Sequence, residues 1–119
     1  MRDFKQIKAW QRAHALAIAL HKLSSGFTRA GHSRLRAQLT TAAESIEQNI
    51  VSGSGTKSSR DFARYLDMSI KSANETEGHL LSSRDLSLVS PDEWQKYSTE
   101  TIEIRKMIYT YRQRVLQDE

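Results

Sequence analysis

A chain of 119 residues with 38% hydrophobic and 27% charged side chains has room for one domain and a lean core, completed by lengthwise packing or by association of copies. Cysteine is absent, which excludes a disulfide framework, a thiolate nucleophile and Cys-ligated zinc or iron–sulfur, and no apolar run approaches the roughly 20 residues of a membrane span. The net charge of +4 is unevenly spread: residues 1–60 hold 10 Lys/Arg against 3 Asp/Glu, residues 61–119 hold 8 against 11, and seven bases between Phe4 and Ala43 meet no acid.

Helical periodicity dominates from the start of the chain. The first predicted helix covers about residues 5–25, with Asp3 and Gln6 as a capping pair and Trp10, Ala13, Ala17, Leu20 and Leu23 facing inward. Its apolar stretch Ala15–Leu20 is short and flanked by His14 and His21, unlike a secretory leader, so a cytoplasmic protein is expected. The second helix, about 34–52, carries Leu35, Leu39, Ala42 or Ala43, Ile46 and Ile50. It is expected to end at Gly53 and Gly55, where left-handed backbone is accessible. Asn49 lies between Ile46 and Ile50, and its amide is expected to tie the end of this helix to a neighbour.

The third helix, about 59–85, opens with a capping box from Ser58 and Asp61 and buries Phe62, Leu66, Ile70, Ala73 and Leu80. Gly78 interrupts it at a cost of about 1 kcal/mol relative to Ala, either admitting a close neighbour or standing as slack. The fourth, about 91–116, places Trp94, Tyr97, Thr101, Ile104, Ile108, Tyr111 and Val115 at alternating steps of three and four, the seam of a helix packed at a shallow angle. Ser90, Pro91 and Glu93 mark its start. Short links near 26–33, 53–58 and 86–90 favour antiparallel neighbours. The expected structure is all-α, a single domain over residues 1–119 forming an antiparallel up-down-up-down four-helix bundle.

Motifs of catalysis do not assemble. The run Gly53-Ser-Gly-Thr-Lys-Ser-Ser59 has Thr56 where a phosphate-binding loop needs Gly, and it follows a helix instead of a strand. His14 and His21 share a helical face, yet no Glu-x-x-His pair accompanies them, so neither a metal nor a cofactor is expected. Glu100 and Glu103 share a face with Lys106, which reads as an ion-paired surface. No Gly-x-Ser-x-Gly elbow occurs. The chain reads as a non-enzyme.

The basic residues are the functional candidates. Lys5, Lys8 and Arg12 recur on one face of the first helix; Arg29, Arg34 and Arg36 cluster with His32 around the first link; Lys57 and Arg60 flank the start of the third helix, where free N–H groups can also meet a phosphate. In an antiparallel hairpin the first link lies far from Lys5, so an oligomer is needed to bring those clusters together. Contacts of this kind bind RNA or DNA through phosphates and are salt-sensitive. The alternative is an interaction scaffold in which the basic half docks onto the acidic half of a neighbouring subunit or a protein partner.

Three blocks carry a family resemblance. The opening Asp3-Phe-Lys-Gln-Ile-Lys-Ala-Trp-Gln-Arg-Ala-His14 resembles that of the bacterial four-helix bundle proteins also called 23S rRNA intervening-sequence proteins, once labelled S23 ribosomal proteins. Gln38-Leu39 through Ala42-Ala43, Ser45-Ile46, Asn49-Ile50 and Gly53-x-Gly55 is similar to the second-helix signature, and Phe62-Ala-Arg-Tyr-Leu66 with Ser69, Ser72 and Glu75 to the third. Glu47 and Val51-Ser52 stand where the family often has Pro and Ala-Glu. The resemblance implies a left-handed bundle, a ring-shaped homopentamer, and binding of structured RNA or DNA. A more distant similarity is to accessory proteins of diversity-generating retroelements. A ring repeats one subunit's basic face five times, with Trp10, Trp94, Tyr109 and Tyr111 as candidate interface residues, although the place of Trp10 and Trp94 on apolar faces favours the core for those two.

Overall fold

The computed structural model of the chain describes residues 2–118; Met1 and Glu119, the ends of the expected 1–119 domain, lie outside the described residues. Four helices follow one another: α1 (Lys8–Leu23), α2 (Ser33–Ser54), α3 (Ser59–Asp85) and α4 (Pro91–Gln117). Single 3-10 turns at Phe4–Gln6 and Ser24–Gly26 flank α1. No strand occurs among the described residues. Each helix packs on two neighbours, in the cyclic order α1, α2, α3, α4, which makes a four-helix bundle of 49 × 20 × 19 Å.

Contacts between successive helices run in opposite chain directions. Ser69 and Ser72 of α3 meet Ile46 and Ser45 of α2 in reversed order. Arg105 and Arg112 of α4 likewise reach Glu77 and Asp67 of α3. Capping explains two of the helix starts. Ser58 accepts the Asp61 N–H at 3.0 Å, and Ser90 and Glu93 bond reciprocally at the start of α4 with Pro91 at its first position.

Leu20, Leu39, Ile46, Ile50, Leu66, Leu80, Ile104, Ile108 and Val115 are fully buried along the axis. Phe27 and Val89, from the links at one end, and Ile7 at the other join this core. Hydroxyls complete it. The Ser69 Oγ donates to the Ile46 carbonyl across α2–α3 at 2.6 Å, while Thr76 and Thr101 donate to carbonyls four residues back in their own helices. A small buried side chain that satisfies itself this way lets helices approach without an unpaired polar group.

Three local expectations change, and the alternative left open at Gly78 is decided. The chain does not enter α1 at residue 5: Ile7 is extended and buried, and Asp3 caps the preceding 3-10 turn by accepting the Lys5 N–H at 3.0 Å. Neither Gly53 nor Gly55 is left-handed; Gly31 at φ 90° and Ser87 at φ 59° are. Gly53 lies inside α2, where an added Cβ would stand 2.7 Å from Phe62 Cδ1 and 2.9 Å from Tyr65 Cβ, so its role is close approach of α3. At Gly78 an added Cβ meets nothing within 4 Å, and this glycine is slack. Asn49 donates within its own helix, to the Ser45 carbonyl at 2.9 Å and the Ser45 hydroxyl at 3.1 Å; Ser45 and Ser72 make the tie to α3.

Candidate nucleic-acid interface

The antiparallel order assigns the sequence-predicted bases to two ends of the rod. One end gathers the chain start, the end of α2, the start of α3 and the end of α4. Lys5, Lys8, Lys57 and Arg60 are all exposed there. The Arg2 backbone N–H donates to the Ser54 carbonyl at 3.0 Å and holds the chain start against the end of α2. A depression of about 120 Å³ lies beside this contact, lined by Arg2, Ser54, Thr56, Lys57, Ser58 and Ser59. Arg29 and Arg34 are exposed at the opposite end, and Arg36 is half-buried with its guanidinium 3.4 Å from His21 Nε2. The structure therefore joins the Lys5 group to the Lys57 group and leaves the Arg29 group apart.

Helix starts differ between the two halves of the chain. Acids and side-chain caps neutralise the starts of α3 and α4. The starts of α1 and α2 have no side-chain cap and no acid in the first turn. Lys8 opens α1, and Arg34 and Arg36 lie in the first turn of α2, so cations sit where the helix dipole is already positive. Each end of the bundle thus carries one bare, cationic helix start.

Ion pairing separates Arg12 from the other candidates. Its Nε donates to Glu100 Oε2 at 2.9 Å, and a second guanidinium nitrogen pairs with the other oxygen, joining α1 to α4. That hydrogen bond raises the pKa of Arg12 above its already high ordinary value. Glu100, expected to belong to an ion-paired surface within α4, finds its partner on α1 instead. Arg105 and Arg112 are likewise held by Glu77 and Asp67 on α3, and Arg2 by Asp118. Lys5, Lys8, Arg29, Arg34, Arg36, Lys57 and Arg60 have no carboxylate partner among the described residues.

The sequence matches the family of 23S rRNA-intervening sequence proteins over residues 5–110, most of the chain. The chain belongs to this family. A solved structure with the same fold superposes on this 23S rRNA-intervening sequence protein with a TM-score of 0.82, at 19% identity over 88% of this chain and 95% of the other. It is a protein of unknown function from the S23 ribosomal protein family of Bacteroides thetaiotaomicron VPI-5482. Neither description names an enzymatic activity. The comparison with curated proteins gives no match.

In this 23S rRNA-intervening sequence protein, Glu47 pairs with His14, Oε1 to Nδ1 at 2.8 Å, and joins α1 to α2. Among the described residues, no three His, Asp or Glu side chains come together as metal ligands, and no helix is long and apolar enough to cross a membrane. Two further bases are placed beside the predicted set. Lys106 and Arg114 of α4 line a groove with Lys8. The negative balance of the second half hides them in the sequence; their eight-residue spacing, which puts them on one stripe of a helix, is the signal that finds them.

Proposed function

We propose that this protein is a non-enzymatic nucleic-acid-binding protein that holds structured RNA or DNA by phosphate contacts. The carrying observation is the pair of bare helix starts, one at each end, with Lys8 on α1 and Arg34 and Arg36 on α2. An anion there meets free N–H groups, the positive end of the dipole and unpaired cations together. Lys5, Lys57 and Arg60 extend the first end and Arg29 the second. Arg12, held by Glu100, serves the fold.

A salt series tests the reading. The purified protein is titrated with a structured RNA and with duplex DNA from low to high salt. The expected affinity falls steeply, with a log–log slope near 0.9 per phosphate contact on the duplex. Absence of binding to both at low salt overturns it.

A second reading is a scaffold of identical subunits. Ile18 and Leu86 are exposed, and among the described residues the indole N–H groups of half-buried Trp10 and Trp94 have no partner. We propose a homopentameric ring, whose repeated basic ends raise weak phosphate contacts by avidity. In the scaffold form of the reading, charge docks the basic half of one copy on the acidic half of the next or on a protein partner. Light scattering separates the cases. A charge-held oligomer falls apart at about 1 M salt, where the screening length is about 3 Å, and an apolar one persists.

A further inference from the structure

Two depressions meet on the outer surface of α4. The first, of about 850 Å³, follows the seam with the chain start and α1, with Ile7, Ala9, Met107 and Tyr111 in its lining. The second, of about 500 Å³, lies between α3 and α4 beside Ile70, Arg105 and Tyr109. Lys106 and Thr110 line both, so the two form one band across the helix.

Charge in the band is mostly positive. Lys8, Lys106 and Arg114 have no carboxylate partner among the described residues. Asp3 is the one carboxylate among the described lining residues, and it accepts the Lys5 N–H at 3.0 Å. Lys106, Thr110 and Arg114 follow at four-residue steps, which sets the two cations about 12 Å apart along the axis. Tyr109, three residues from Lys106 and its neighbour on the helix surface, is 56% exposed. It is the most exposed of the large hydrophobic side chains among the described residues.

A duplex offers phosphates and keeps its base faces stacked inside, so it has no use for an exposed ring beside an apolar groove. An unpaired strand offers both. Proteins that hold single strands combine a cationic groove with aromatic platforms. We infer that the band over α4 binds an unpaired segment of RNA or DNA, with a base stacked on Tyr109 and neighbouring phosphates on Lys106, Arg114 and Lys8. This rests on the nucleic-acid reading above and names the form of ligand that this face takes.

The test uses the full chain and short fluorescent oligonucleotides, oligo-dT and oligo-U, beside a duplex of similar length at one salt concentration. Tyr109→Ala weakens single-strand binding about 10- to 100-fold, in the range of a lost base–aromatic stack, and leaves duplex affinity within a factor of about two of the parent. Tyr109→Phe keeps the ring and the affinity. Unchanged single-strand binding in Tyr109→Ala overturns the inference and leaves the phosphate reading standing, provided the duplex still binds. An equal loss on both ligands overturns it too, as does a change in subunit number in the variant, which assigns Tyr109 to a contact between copies. Failure of the parent protein to bind any strand overturns this inference and the broader reading together.

Discussion

A methyl group has opposite consequences at the two interior glycines. At Gly53 it would press on the Cβ of Tyr65 and the ring of Phe62, where α3 lies close against α2. Gly53→Ala is expected to destabilise by about 1–3 kcal/mol through overpacking. At Gly78 the space is open and the backbone is helical. Gly78→Ala is expected to stabilise by about 1 kcal/mol. Urea denaturation of the two variants checks both signs. The sequence alone puts Gly53 at a helix end and leaves Gly78 open between close approach and slack, because only the position of a residue from another helix decides either role. The left-handed positions are equally hidden: Gly31 is a glycine among several, and Ser87 has no local mark.

Helices were legible where the local chemistry is complete. The Ser90–Pro91–Glu93 start of α4 and the Ser58–Asp61 start of α3 can be read from three or four adjacent residues. The three-and-four spacing of α4 likewise identifies Thr101, Ile104, Ile108 and Val115, all buried. The break at Ile7 was not legible, because the helical spacing continues through it; the reason to break is burial of Ile7 against the bundle end. Partners across helices were not legible either. The spacing of Glu100, Glu103 and Lys106 points to ion pairing within α4, yet Glu100 is met by Arg12 of α1, 88 residues away. This pair is the charged link of α1 to α4. Its side chains are 43% and 33% exposed, so water screens it, and a double-mutant cycle through Arg12→Ala and Glu100→Ala is expected to give a coupling of about 0.5–1 kcal/mol.

At the scale of the whole molecule, the placement of bases at opposite ends follows from helix order and was legible. Which bases are free was not, since ion pairing depends on contacts between helices. The structure therefore sharpens the expectation for binding. Lys5→Glu with Lys8→Glu removes two cations from one end, and Arg34→Glu with Arg36→Glu removes two from the other. Each pair is expected to lower the salt slope on duplex DNA by about two where its end is in contact. Arg12→Ala is expected to leave that slope unchanged while lowering stability. A fall in slope for Arg12→Ala equal to that of the paired reversals would return Arg12 to the binding surface.

The short first helix has a consequence for how the protein breathes. α1 has 16 residues against 27 in α3 and in α4, a 3-10 turn on either side, and no side-chain cap. α2 and α3 are tied instead by the Ser69–Ile46 and Ser72–Ser45 bonds and by the fit at Gly53. Segments with fewer such ties open locally at lower free energy than the global transition. Amide hydrogen exchange is therefore expected to proceed in two tiers, with the amides of α1 exchanging through a partial opening while those of the α2–α3 pair wait for global unfolding. Uniform protection across the four helices would show that the bundle opens as one cooperative unit.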